Sequence, residues 1–326
     1  MAKDSSPQME AVFAKVVEES AELSPRDFVC VVTDTNKLNI ARAVASAARA
    51  IGAETVVVEM SPRETHGNEP PEMVAAAMTK STVMFTPTTY AITHTQAFKE
   101  ALKNGARGIV LRGVTEDIVL GEAMKVDYRR LRDKCEKLAA FLRKSSNVRV
   151  TSESGTHVEF QIKNRPVRVL SGIASQPGEF AALPDGEVPV PPIEGTANGK
   201  IVFDATMDAI GPLESPIELK VSKGMVQNIA GGRQAGQLAQ IVKRAGECGS
   251  NIAEFAIGTN AAARIIGNMA EDKKKEGTVH IALGGNHVLG GTYPCSIHLD
   301  GLIRYPSVLV DGLTIVEKGK LLWEKL

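Results

Sequence analysis

The chain has 326 residues, room for two ordinary domains or one large one, with 43% hydrophobic and 23% charged residues and a formal net charge of zero. A balanced charge without a basic patch excludes a nucleic-acid binder, and no apolar run is long enough to cross a membrane. Aromatics make up only 4%, so small side chains (alanine, glycine, valine) must pack the core, which suits an α/β protein.

The opening segment, MAKDSSPQMEAVFAKVVEE, reads as an amphipathic helix and not as an apolar signal segment. The four cysteines (Cys30, Cys135, Cys248, Cys295) have neither CxxC nor CxH spacing. Both features point to a cytoplasmic protein with reduced thiols. Cys30 is expected to be a buried, inert thiol within a strand; Cys295, three residues before His298, is the cysteine to watch.

From residue 28 to 112 the pattern alternates strand and helix. Strands are predicted at Phe28–Thr33, Thr55–Met60, Ser81–Phe85 and Gly108–Arg112, with helices at Asn36–Ile51, Glu72–Thr79 and Thr95–Lys103. Apolar strands separated by amphipathic helices imply a largely parallel, Rossmann-like sheet. Ligands of such sheets sit beyond the carboxyl ends of the strands, where Asp34, Ser61, Pro87–Tyr90, His94 and Gly113–Thr115 fall. The first strand is followed by TDTN and not by a glycine-rich phosphate loop, so a nucleotide cradle is not expected.

A charged helix, Lys125–Ser145, is expected to bridge two domains, 1–147 and 148–326, the second being an α+β metal-site domain. Strands are predicted at Val148–Ser152, His157–Ile162, Val167–Gly172, Lys200–Asp204 and Ile217–Val221, and an amphipathic helix at Gln234–Gly246. Alternation places His157 on a solvent face with Glu159 and Gln161. Residues 183–193 read as a proline-stiffened loop whose Glu187 would ordinarily be a turn residue. Glu254 stands inside the apolar run Asn251–Asn260, where a charge needs an ion pair or a metal. Ala261–Asn268 reads as helical, and Lys273–Lys275, after Glu271 and Asp272, as a solvated helix end.

The most informative stretch is 277–300, a strand, a glycine-rich loop and a second strand that gather His280, His287, His298 and Asp300. In an extended chain residues two apart share a face, so His298 and Asp300 aim an imidazole and a carboxylate at one point. Such donors, without thiolates, suit Zn, Mn or Fe(II). The chain closes with strands around an Asp311–Gly312 hairpin signal.

Four separated pieces, PDGEV at 184–188, NIAEFAIGTN at 251–260, VHIALG at 279–284 and IHLDG at 297–301, resemble the thermophilic aminopeptidase T family of metallopeptidases. The resemblance covers most of the C-terminal half. It implies a two-metal centre (Zn, Co or Mn) held by Glu187, Glu254, His280, His298 and Asp300, a small-molecule or short-peptide substrate, and a homodimer. The family's functional tyrosine falls at His287 here, with Tyr293 nearby, so the chemistry can differ while metal binding is kept.

The related 2,5-dihydroxypyridine dioxygenase is similar to this group, and uses one Fe(II) held by two histidines and an aspartate. His298 and Asp300 would match its HxD pair, and TTYAITHTQA resembles its active-site histidine segment, with His94 in the matching place. Its remaining ligand histidine falls near Glu254.

Three readings follow. In the first, a two-metal hydrolase, Glu254 bridges the ions, Glu187 belongs to both the ligand and catalytic sets, and His287 acts as proton shuttle or oxyanion donor. In the second, a mononuclear Fe(II) ring-cleaving dioxygenase, His94 is the general base, and a two-histidine, one-carboxylate set is reached only if His280 contributes. The third is a binding protein that has lost turnover. The five-ligand match selects the hydrolase, with the dioxygenase as the alternative.

Overall fold

The computed structural model describes residues 6–326; residues 1–5 of the predicted opening helix lie outside the described residues. The chain forms two compact units, one of residues 1–132 and 171–185 and the other of 133–170 and 186–326. It thus leaves the first unit within the helix Tyr128–Leu142, the core of the predicted charged helix, and returns to it for 171–185.

The first unit is built on a five-stranded sheet ordered Glu54–Met60, Phe28–Asp34, Val83–Thr86, Arg107–Val110, Phe180–Ala182. Every pairing is parallel, as the alternating pattern requires. Leu38–Ala50 buries Ile40, Ala41, Val44, Ala45 and Ala48, the helical spacing visible in the sequence. The helix Gln96–Lys103 is capped by Thr95, whose hydroxyl accepts from Phe98 N. Phe98, Met78 and Met84 fill the core beside Cys30, whose burial pushes its thiol up to about 11.

The second unit contains two antiparallel sheets. The six-stranded sheet runs Gly211–Pro212, Thr206–Met207, His298–Ile303, Val279–Gly284, Ile252–Gly258, Glu187–Val190; the other has eight strands. Phe255 projects from one face of the six-stranded sheet onto Phe160 of the other, with ring centroids 5.2 Å apart. Gly301 faces the same way, and a Cβ there would stand 2.5 Å from the Phe203 ring. That face is the interior of a sandwich. The opposite face therefore carries residues 254, 256 and 258, 280, 282 and 284, and 298, 300 and 302.

Several local expectations change. Glu187–Val190 is a buried strand and not a loop; Pro189 is tolerated because this strand is at the sheet edge. Val167–Gly172 is not a strand apart from a bridge between Leu170 and Glu187. Ala261–Asn268 is not helical, and the helix is confined to Met269–Asp272. The reason is local competition: Asn260 accepts from Ala262 N, and Asp272 takes Ile266 N and Gly267 N, so side chains satisfy backbone groups a helix would have used. The hairpin at Asp311–Gly312 is present, with φ of 48° and 85° as a two-residue hairpin turn demands. Among the described residues, no helix is long and apolar enough to cross a membrane.

Candidate metal centre

Four neighbouring strands bring the five predicted ligands to one face. Register places Glu187 opposite Gly258, His280 opposite Ala256, Asp300 opposite Ala282, and His298 opposite Gly284. The residues between the ligands are thus alanine or glycine, which leaves space above the sheet for their side chains to converge.

The five candidate ligands form two adjacent groups that share Glu254. Glu187, Glu254 and His280 make one; Glu254, His298 and Asp300 make the other, with donor atoms in each within 4.8 Å of one another. Glu254 Oε1 lies 3.1 Å from His280 Nε2, and its Oε2 lies 3.0 Å from His298 Nε2. Asp300 Oδ1 is 3.3 Å from His298 Nε2, and Glu187 Oε2 is 3.6 Å from His280 Nε2. The Nδ1–H of His298 donates to the carbonyl of Gly285 at 2.8 Å, which turns Nε2 towards the carboxylates. Burial opposes the charged ring, but hydrogen bonds to Asp300 and Glu254 hold its pKa well above the usual histidine value, so a metal at Nε2 would replace a proton there.

Two buried oxygens in this cluster, Glu187 Oε2 and Asp300 Oδ1, have no hydrogen-bond partner. A buried carboxylate oxygen without a donor is costly, and each of these points into one of the groups. Imidazole and carboxylate donors around unpartnered oxygens fit a divalent ion. Each group, however, offers one imidazole and two carboxylates; the two-histidine, one-carboxylate set is not what the strands assemble, because Glu254 stands between the rings.

Burial alone would raise the Glu254 carboxyl, but hydrogen bonds from His280 and His298 hold it below the usual carboxylate range. Asp300 is likewise opposed by burial, yet held well below that range by the Lys273 ammonium. Burial also opposes ionisation of Glu187, which Lys273 and Lys274 overcome.

Those lysines correct the sequence reading. Lys273 and Lys274 are not on a solvated helix end. Lys274 Nζ lies 2.8 Å from Glu187 Oε1, and Lys273 Nζ lies 2.8 Å from Asp300 Oδ2 and 3.5 Å from Glu187 Oε1. Their side chains are 3% and 15% exposed.

None of the remaining candidates is a member of either group. His287 is exposed in the short turn His287–Leu289, outside both groups. Tyr293 is half-buried, its backbone N–H donating to Asn286 Oδ1. His94 belongs to the first unit and is exposed just before Gln96–Lys103, whose cap is Thr95. His157 is exposed on its strand, as the alternation predicts. Cys248 and Cys295 form a disulfide, so the reduced state expected of all four cysteines holds only for Cys30 and Cys135. Spacing could not reveal this pair, since 47 residues separate its members and the fold alone brings them together.

A family model described as NicX, 2,5-dihydroxypyridine 5,6-dioxygenase, matches residues 8–323. The chain is 25% identical over 247 residues to the 2,5-dihydroxypyridine 5,6-dioxygenase of Pseudomonas putida KT2440, covering 71% of this chain and 69% of that protein. In structure it is similar to 2,5-dihydroxypyridine dioxygenase from the same organism, with a TM-score of 0.81 at 19% identity and 96% of both chains covered. It is also similar to wild-type AmpT from Thermus thermophilus, with a TM-score of 0.73 at 14% identity over 97% of this chain and 99% of that one. The two structural likenesses establish a shared fold. The sequence match lies with the dioxygenase, the reading placed second above, and not with the peptidase.

Proposed function

This chain belongs to the 2,5-dihydroxypyridine 5,6-dioxygenase family, and from that premise we propose that it is a metal-dependent enzyme that opens a hydroxylated aromatic ring with dioxygen. The observation that carries the reading is the open group of Glu254, His298 and Asp300 on one sheet face, within a chain matched to that family almost end to end. Ferrous iron is the ion assigned to it, and when bound it would supply the one-electron chemistry with dioxygen that side chains lack.

The chain's own residues prepare the place. Gly285 fixes the His298 ring through Nδ1 and leaves Nε2 towards the group. Glu254 orients both imidazoles through its two oxygens. Lys273 Nζ contacts Asp300 Oδ2 at 2.8 Å, and Oδ1, which has no hydrogen-bond partner, is left towards the group. His298 is 29% exposed at its side chain whereas His280 is 0% exposed, so substrate would approach from the His298 side.

The two-metal hydrolase remains the second reading because the two groups share one carboxylate, as a bridged pair of ions would require. Dioxygen uptake separates the two. Iron-loaded protein, prepared anaerobically and mixed with 2,5-dihydroxypyridine in aerated buffer, is expected to consume dioxygen as the ring absorbance falls. Cleavage of aminoacyl amides with no dioxygen uptake on any hydroxylated ring would overturn the proposal.

A further inference from the structure

The two ligand groups differ in one respect beyond exposure: both buried ammonium groups lie against Glu187. Lys274 contacts Glu187 Oε1, and Lys273 spans Glu187 Oε1 and Asp300 Oδ2. Four carboxylates (Glu187, Glu254, Asp300 and Asp208, which acts on Lys273) thus face two ammonium groups. Two uncompensated negative charges are left, and a single divalent ion offsets them. A second would leave a large positive excess in a buried place, where an unbalanced charge is expensive.

We infer that Lys273 and Lys274 act as built-in counter-ions that close the Glu187–Glu254–His280 group to metal, so that the centre takes one divalent ion, in the Glu254–His298–Asp300 group. The group that is closed is also the one whose imidazole has no exposed edge. The lysines are delivered by the connection between strands Ile252–Gly258 and Val279–Gly284, which crosses directly over Gly258. Glu187 then serves as an anchor for the lysines and not as a ligand, and five donors yield a mononuclear site. Lys273 and Lys274 are positioning residues, since their effect on the metal passes through Glu187 and Asp300. This inference rests on the oxygenase reading of the site, which needs one ion.

The test is metal stoichiometry, read without turnover. Wild-type protein and the variants Lys274→Met, Lys273→Met and Lys273→Met/Lys274→Met are stripped, reloaded anaerobically with excess Fe(II) or Mn(II), freed of unbound metal and analysed for metal per folded chain. Wild type is expected to hold about one equivalent and the double variant about two, because a buried pair of carboxylates with its counter-ions removed recruits a cation. Lys274→Arg, which keeps the charge, is expected to remain at the wild-type value. Two equivalents in wild type, or an unchanged single equivalent in a folded double variant, overturns the inference. Should the double variant fail to fold, anomalous scattering from Mn(II)-loaded wild-type crystals decides: a peak beside His298 alone supports it, and a peak beside His280 overturns it. The two claims fail separately: one bound ion with no dioxygen uptake rejects the oxygenase and spares the lysines, and two ions with uptake does the reverse.

Discussion

A Cβ added to Gly258 would stand 2.1 Å from the carbonyl oxygen of Lys275. This contact lets the lysine-bearing connection lie directly on the strand that carries Glu254, and it sets where the two ammonium groups land. The same approach is held by hydrogen bonds from Gly277 N to Gly258 O and from Asn260 N to Lys274 O.

Gly258→Ala is therefore expected to push the connection off the sheet. Relief of an overpacked contact of this kind costs about 1–3 kcal/mol. A lower denaturation midpoint together with altered metal content is the expected outcome; wild-type values for both would show that the contact does not position the lysines.

Loss of a ligand should separate metal binding from folding. His298→Ala removes a partly exposed imidazole and Asp300→Asn removes one charge without changing volume, so both variants are expected to keep a native circular dichroism spectrum and lose the bound metal. A variant that retains full metal content would remove its residue from the ligand set. His287→Ala, outside both groups, is expected to leave metal content unchanged.

The Cys248–Cys295 bond ties the loop between the two histidine-bearing strands to the turn before Ile252–Gly258. Closing a loop of 47 residues' separation restricts the unfolded chain by about 4 kcal/mol in the chain-entropy account. Reduction, or Cys295→Ser, is expected to lower the denaturation midpoint and to speed amide exchange across 285–297. Identical midpoints with and without reductant would contradict the assigned pair.

Asp27 gives the first unit a pH signature. Burial opposes its ionisation, but Thr82, the Ser24 backbone N–H and Arg107 outweigh it and hold its carboxyl below the usual value. A depressed folded-state value contributes stability that is fully present above the unfolded-state value of about 3.9 and is lost as pH falls through the folded one. Asp27→Asn is expected to flatten the acid limb of stability between these points. An unchanged acid limb in urea titrations across that window would remove Asp27 from the account.

The α/β order of the first unit was legible because buried parallel strands and amphipathic helices leave periods that survive in the sequence, as in Phe28–Thr33 and Asn36–Ile51. The histidines and Asp300 were legible as an HxD pair and its partner strand. Glu187 and Glu254 needed the family resemblance, since one followed an Asp-Gly turn signal and the other looked like a buried ion pair. Lys273, Lys274 and the disulfide were not legible. Their significance lies in contacts set by strand register and chain crossing, which local composition does not encode. The choice between hydrolase and dioxygenase was weighted by ligand count, and ligand count alone does not register that two of the surrounding cations belong to the protein.

The origin of the oxygen atoms added to the product tests the central claim most directly. With 2,5-dihydroxypyridine and iron-loaded protein under ¹⁸O₂ in ordinary water, the account predicts a ring-opened product in which both added oxygen atoms carry the label. Label entering only from H₂¹⁸O, with none from ¹⁸O₂, would mark the centre as hydrolytic and contradict it.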